Sequence, residues 1–203
     1  MADGNAAAGR IPSGRVGGRV RSESARAAVL GAATDLLDER GYAAITMEGV
    51  ASRSGVAKST IYRWWKSKPA LVMEAHGAAV AQRMPEPDTG TTESDLIEFT
   101  EQLYRVTEHP RRVAALRGMM ADAQLDPEFA EHFRAWVNER REIVAVILTR
   151  GMRRGELAAD LDVEYAVDLI FGPFWYRLLV EHAPLDAADV RSQIRRLLTG
   201  FVA

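Results

Sequence analysis

The chain has 203 residues, 47% of them apolar, a formal net charge of −2 and no cysteine. The apolar content is too high for a disordered chain, and the missing cysteines exclude disulfide scaffolds, thiolate metal sites and cysteine nucleophiles. No apolar run approaches the roughly 20 residues that span a bilayer, and the arginines near the N-terminus are not followed by the apolar core of a secretory signal, so a cytoplasmic location is expected. The small net charge hides an asymmetry. Residues 1–70 hold 11 Lys/Arg against 6 Asp/Glu, whereas residues 71–203 hold 15 against 22. A basic head on an acidic body suits one end that meets a polyanion, although a basic face is also compatible with simple solvation.

Residues 1–21 are rich in Gly and Arg and lack apolar periodicity, which predicts a flexible arm. From Ser22 the pattern changes. Ala25, Ala28, Val29, Ala32, Ala33, Leu36 and Leu37 follow helical spacing, and Gly41 stands where a helix stop is wanted. Thr46 can cap a second helix, which "SRSG" ends at Gly55. A third short helix is expected over about 57–65, and Ser67 opens a fourth with Pro69 in its first turn. "PEPDTGTT" (85–92) reads as a connecting loop. Helices are then expected over about 93–108, 110–122, 127–153, 163–182 and 186–201. There is no alternating strand pattern. The expectation is an all-α chain of about nine helices: an arm (1–21), a small three-helix domain (22–68) and a larger helical domain (69–203).

Two short helices joined by a tight Gly-containing turn make a helix-turn-helix, whose second helix lies in the DNA major groove. Ala51, Val56 and Ile61 are spaced to pack the pair together. Lys58, Ser59, Thr60, Tyr62 and Arg63 fall on or beside the opposite face, where hydroxyls and cations reach base edges or phosphates. The free N–H groups of the helices opened by Thr46 and Ser67 suit phosphates, with Lys68 adding a cation. Trp65, four residues after Ile61, is expected to face inward. Trp64 points elsewhere, toward neighbouring helices or DNA sugars.

"ITMEGVASRSGVAKSTIYRWWKSKPALV" resembles the DNA-binding region of the tetracycline-repressor (TetR) family of bacterial regulators. The match rests on Thr46, Val50-Ala51, Gly55-Val56, Thr60-Ile61-Tyr62, Trp64-Trp65, Lys68 and Leu71, over about residues 25–72. Two positions depart from it. Ala57 stands where many members have a capping Ser, and Trp65 where Phe is commoner. The resemblance implies phosphate contacts from Thr46, Tyr62 and Lys68, and base or near-base contacts from Lys58, Ser59, Thr60 and Arg63. Arg15, Arg19 and Arg21 could enter a flanking minor groove, or belong to a tail with weak phosphate attraction.

For the larger domain the resemblance implies dimerisation and a small-molecule effector. Phe171, Trp175, Leu178, Ile194 and Leu198 on the last two helices are the candidate dimer residues. "YAVDLIFGPFWYRLLV" is apolar on more than one face, which also suits an internal core helix, and Pro173 should kink it. Tyr104, Met119, Met120, Phe133, Trp136 and Phe174 are candidates to line an apolar cavity, though such a stripe also describes plain core. His76, His109, His132 and His182 are scattered, so no metal site is expected; "DLDVEY" (160–165) resembles the start of a calcium loop but has Tyr165 where Gly is required. No phosphate loop or nucleophile elbow points to an enzyme, and no cofactor is expected. The expected function is a cytoplasmic, homodimeric, sequence-specific DNA-binding regulator, with a repressor released from a palindromic operator by a small apolar or amphipathic ligand as the expected mode. A regulator controlled by a protein partner or by no ligand, and a helical interaction protein without DNA binding, are the alternatives.

Overall fold

The computed structural model describes residues 14–81 and 86–201, which contain nine α-helices and no strand. They are α1 (Gly14–Arg40), α2 (Met47–Ser54), α3 (Lys58–Trp64), α4 (Lys68–Ala81), α5 (Thr92–Arg105), α6 (Pro110–Leu125), α7 (Pro127–Arg154), α8 (Val163–Val180) and α9 (Ala187–Leu198). The helix starts are written locally. Thr46, Asp162 and Asp186 each accept a hydrogen bond from a first-turn N–H of α2, α8 and α9, and Asp126 takes two at the start of α7. Asp162, inside the stretch that resembles a calcium loop, is thus a helix cap. Gly55 and Gly155 end α2 and α7 in the left-handed conformation.

One boundary differs from the sequence expectation. Residues 14–21 are not an arm but the first turns of α1; residues 1–13 lie outside the described residues. Once the strongly periodic segment after Ser22 has nucleated a helix, each added residue gains a hydrogen bond without a new nucleation cost, and Arg is a good helix former. Arg15, Arg19 and Arg21 therefore sit on a helical backbone. At α8 the helix runs through Pro173 without a break.

Helices α1–α3 form a small head. Val29, Ala33, Leu36 and Leu37 of α1 bury against Val50, Ile61 and Trp65, and Leu71, Val72 and Ala75 of α4 join the same core. Helix α4 runs from the head into the body, where it packs on α6 and α7. In the body α5 lies against α7 and α9, and α8 bridges α6, α7 and α9.

A second connection holds the head to the body. Tyr42, in the single 3-10 turn between α1 and α2, is buried, and its hydroxyl donates to the Asp122 carboxylate on α6. Its ring lies on Gly118, one turn earlier on α6, where a Cβ would sit 2.2 Å from ring atom Cδ1. The Lys68 ammonium stands 4.2 Å from the ring centroid and donates to the Tyr42 carbonyl at 3.4 Å. Burial, and next the Asp122 carboxylate, push the Tyr42 hydroxyl well above the usual tyrosine range, so it stays protonated as a donor.

His76 of α4 is 4% exposed, and its Nε2 has no hydrogen-bond partner among the described residues. Burial first, then the positive fields of Arg112 and Arg140 against the opposing field of Asp38, lower it to about 4. The folded protein therefore keeps a neutral ring where the unfolded chain, at about 6.5, takes a proton. This group costs no stability above pH 6.5 and costs more as pH falls toward 4. The full loss is of the order of 3 kcal/mol. Urea midpoints measured between pH 7.5 and 4.5 should fall through this window, and His76→Gln should flatten the fall. An unchanged slope in the variant would place the pH dependence elsewhere.

Candidate nucleic-acid interface and the cavities behind it

Helices α2 and α3 meet around Ile61, which is fully buried, with Ala51 and Val56 half-buried beside it. This packing turns the other face of α3 outward. Lys58, Ser59, Tyr62 and Arg63 are exposed and Thr60 is half-buried. Ala57 makes no side-chain cap, as its methyl requires. The exposed groups are not independent. The Lys58 ammonium pairs with the Glu48 carboxylate on α2 and lies 5.6 Å from the Tyr62 ring centroid. That pairing raises the lysine and lowers the glutamate from their usual ranges. The Arg63 guanidinium stands 5.8 Å over Trp64. Trp64 is half-buried and meets Trp65 edge-on at 5.6 Å.

Trp65 is 3% exposed and anchors the head. Its indole N–H donates to Glu74 at 2.8 Å, a carboxylate also held by Arg26. The two tryptophans thus have separate places: one in the core, one as a rest for Arg63. Thr46 is exposed, and its oxygen is already engaged by the Gly49 N–H. Lys68 is half-buried on Tyr42, so its first role is at the junction with α6 rather than on a free surface. Two partners escaped sequence reading, Glu48 for Lys58 and Tyr42 for Lys68. A contact across ten or more residues has no periodic signature.

Behind the head, a cavity of about 480 Å3 opens between α6, α7 and α8. Met120, Ala123, Phe133, Val137 and Trp175 supply its apolar wall, and Arg134 and Asn138 polar atoms. Of the six residues proposed from sequence to line a cavity, Met120 and Phe133 border this one. Tyr104, Met119 and Phe174 do not: each is 1% exposed or less and none lines this cavity. Tyr104 spends its hydroxyl on Gln193 at 2.9 Å, and its ring meets Phe174 at a tilt, centroids 5.9 Å apart. Trp136 points to the other side of α7, into a second cavity with Met73, Gly77 and Arg140. A helix places successive aromatic residues on different sides, and only the neighbours decide which side is hollow.

The dimer residues need a similar correction. Phe171, Leu178 and Ile194 are 5% exposed or less within this one chain, so a partner cannot reach them. Trp175 borders the cavity, and Leu198 is half-buried on the core. The free apolar surface of α8 is the next stripe round the helix. Tyr165, Tyr176, Leu179 and Val180 are exposed, Leu169 is half-buried, and nothing stands within 4 Å of a Cβ built on Gly172. The spacing of Tyr165, Leu169, Gly172, Tyr176 and Leu179 is that of one helix face. Because α8 is apolar nearly all round, its sequence does not say which face belongs to its own core.

The sequence and the fold match known proteins. Residues 29–75 match the family model described as bacterial regulatory proteins, tetR family, and residues 86–197 match that of the tetracyclin repressor-like C-terminal domain. The HTH-type transcriptional regulator YdeS of Bacillus subtilis is 35% identical over 187 residues, which cover 92% of this chain and 94% of YdeS. The crystal structure of the TetR family transcription regulator SCO0332 superposes with a TM-score of 0.77 at 35% identity, covering 89% of this chain and all of that one. The structure of the Bacillus subtilis regulator FadR in complex with stearoyl-CoA has the same fold, with a TM-score of 0.69 at 22% identity and coverage of 86% and 98%. Among the described residues, no helix is long and apolar enough to cross a membrane.

Proposed function

Because this chain belongs to the TetR family of helix-turn-helix DNA-binding transcriptional regulators, we propose that it works as a homodimeric repressor that leaves a two-fold symmetric operator when a small amphipathic molecule fills its body. It acts by binding, without catalysis. The single observation that carries the release mechanism is the double duty of α6. Met120, Ala123 and Gln124 of this helix line the cavity between α6, α7 and α8, while Gly118 and Asp122 hold Tyr42 of the head. An occupant that shifts α6 moves the seat of the DNA-binding domain. If it favours the shifted form, it weakens operator binding by the same coupling free energy.

The mostly apolar wall with Arg134 and Asn138 at hand favours a ligand with a long or flat apolar part and a polar or anionic end. The stearoyl-CoA bound by FadR supports the view that a body of this shape can house such a molecule. Dimerisation uses the outer stripe of α8 around Gly172, where a small residue lets a second helix approach closely. Two heads are needed because one small module buries too little surface for tight specific binding.

Selection of bound sequences from a random DNA pool, followed by titration of the winner, tests this reading. A two-fold symmetric motif is expected. Arg63→Ala should cost about 1–3 kcal/mol on that motif and far less on random duplex. Equal losses on both would remove Arg63 from sequence reading. A motif without two-fold symmetry would overturn the dimer.

A further inference from the structure

Glu48 has no part in the reading above, yet it stands on the face that must meet DNA. It is the only acidic residue between Glu39 and Glu74. Thr46 supplies the side-chain cap of α2, and Glu48 stands in the first turn, where its carboxylate also accepts from its own backbone N–H. Its carboxylate is exposed, as is the ammonium of Lys58, the first residue of α3, to which it is paired. The pair thus bridges the two helices of the helix-turn-helix on its outer side. An exposed ion pair adds little to stability, so its main consequence lies in the surface it presents.

A carboxylate held against a polyanion weakens binding unless it finds a donor there. In the major groove the exocyclic amine of cytosine, N4–H, is the donor that Glu matches, and the O6 and N7 of guanine are the acceptors that Lys matches. These groups lie side by side on the edge of one G·C pair. The tips of Glu48 and Lys58, which touch each other in the free protein, can be handed to that edge together.

We propose that Glu48 and Lys58 read one G·C pair in each half-site as a unit, and that Glu48 lowers the affinity for all other DNA. On a cognate pair the carboxylate accepts from cytosine and the released ammonium donates to guanine. An A·T pair in the same orientation also offers an amine, adenine N6–H, but sets the adenine N7 acceptor beside the carboxylate and the thymine methyl where guanine N7 would meet Lys58; the remaining pairs place no amine in that register, and there Lys58 stays neutralised instead of reaching a phosphate. Glu48 is a specificity-determining residue through both effects, the second a cost imposed on wrong partners. The Tyr62 ring, 5.6 Å from the ammonium, stands beside the pair on the same face.

The inference rests on the DNA-binding reading, and one experiment separates the two. The full-length protein, its Glu48→Gln variant and its Lys58→Ala variant are each put through selection from a random duplex pool. Each is then titrated with a random-sequence duplex at several salt concentrations. The wild type should enrich a motif with a G·C pair at one position of each half-site, and both variants should lose preference at that position alone. Glu48→Gln should bind random duplex about three- to tenfold more tightly, with a salt slope steeper by about one unit because Lys58 is freed for a phosphate. An unchanged motif in Glu48→Gln overturns the proposal. So does a changed motif without tighter binding to random duplex, or tighter binding with the motif intact, because both effects are required. If the wild type itself enriches nothing, the DNA-binding reading fails and the proposal with it.

Discussion

Gly118→Ala is expected to loosen the head from the body and to weaken operator binding. In an ordinary helix this change stabilises by up to about 1 kcal/mol. Here the new Cβ would lie 2.2, 2.5 and 3.0 Å from Cδ1, Cε1 and Cγ of Tyr42. The ring cannot swing aside. It is buried, its hydroxyl is tied to Asp122, and Lys68 stands against it. Either α6 or the turn carrying Tyr42 must move, and overpacking of this kind costs about 1–3 kcal/mol. The head would then sit differently on the body, and two heads set wrongly cannot meet both half-sites. Gly151→Ala is the control. Its Cβ would lie 2.1 Å from Thr92 Oγ1 and 3.0 Å from Leu157 Cδ1, a clash of the same size deep in the body. Both variants should lower the urea midpoint, but only Gly118→Ala should lower operator affinity per folded molecule. Equal operator affinity in the two variants would mean that the Tyr42 seat does not position the head.

Trp65→Ala is expected to have the largest effect on stability. The side chain is 3% exposed, and removal of a buried aromatic of this size costs about 3–5 kcal/mol. It also removes the indole donor at 2.8 Å from Glu74, leaving that carboxylate to Arg26, and takes away the ring under the Arg26 guanidinium at 5.5 Å. Trp65 is the largest buried side chain of the head, so operator binding should fall as the head loses its fold. Trp64→Ala should behave differently. Trp64 is half-buried, and its edge contact with Trp65 is worth about 1 kcal/mol. The stability loss should be small, while operator binding weakens because Arg63 loses the ring on which it rests. Circular dichroism in urea, with operator titrations beside it, separates the two. A Trp65→Ala protein as stable as the wild type would refute the anchor role.

The opening of α2 at Thr46, the glycine turn at Gly55 and the inward place of Ile61 and Trp65 were all legible in the sequence. Each depends on neighbours within a few residues: a hydroxyl three positions from an N–H, a residue free to take positive φ, an apolar group repeating every fourth position. The family resemblance rests on the same short-range pattern. The start of α1 was misplaced for the opposite reason. Its first turns have no apolar stripe and take their order from the helix that follows.

What the sequence by itself determined, then, is the all-α class, the helix-turn-helix and the outward face of α3, because these follow from periodicity and local hydrogen bonding. Only the tertiary structure decided which apolar residues surround a hollow, which face of α8 is left exposed, and what Lys58 and Lys68 touch. Met119 and Met120 are neighbours in the chain, yet one is fully buried core and the other lines the cavity. Phe171 and Tyr176 share one helix, yet one is buried and the other bare. The pairs Lys58–Glu48, Lys68–Tyr42 and Tyr42–Asp122 join residues 10, 26 and 80 positions apart. A side chain's type states what it can do, but its partner is chosen by how whole helices pack, and that choice is made across distances that no local pattern records.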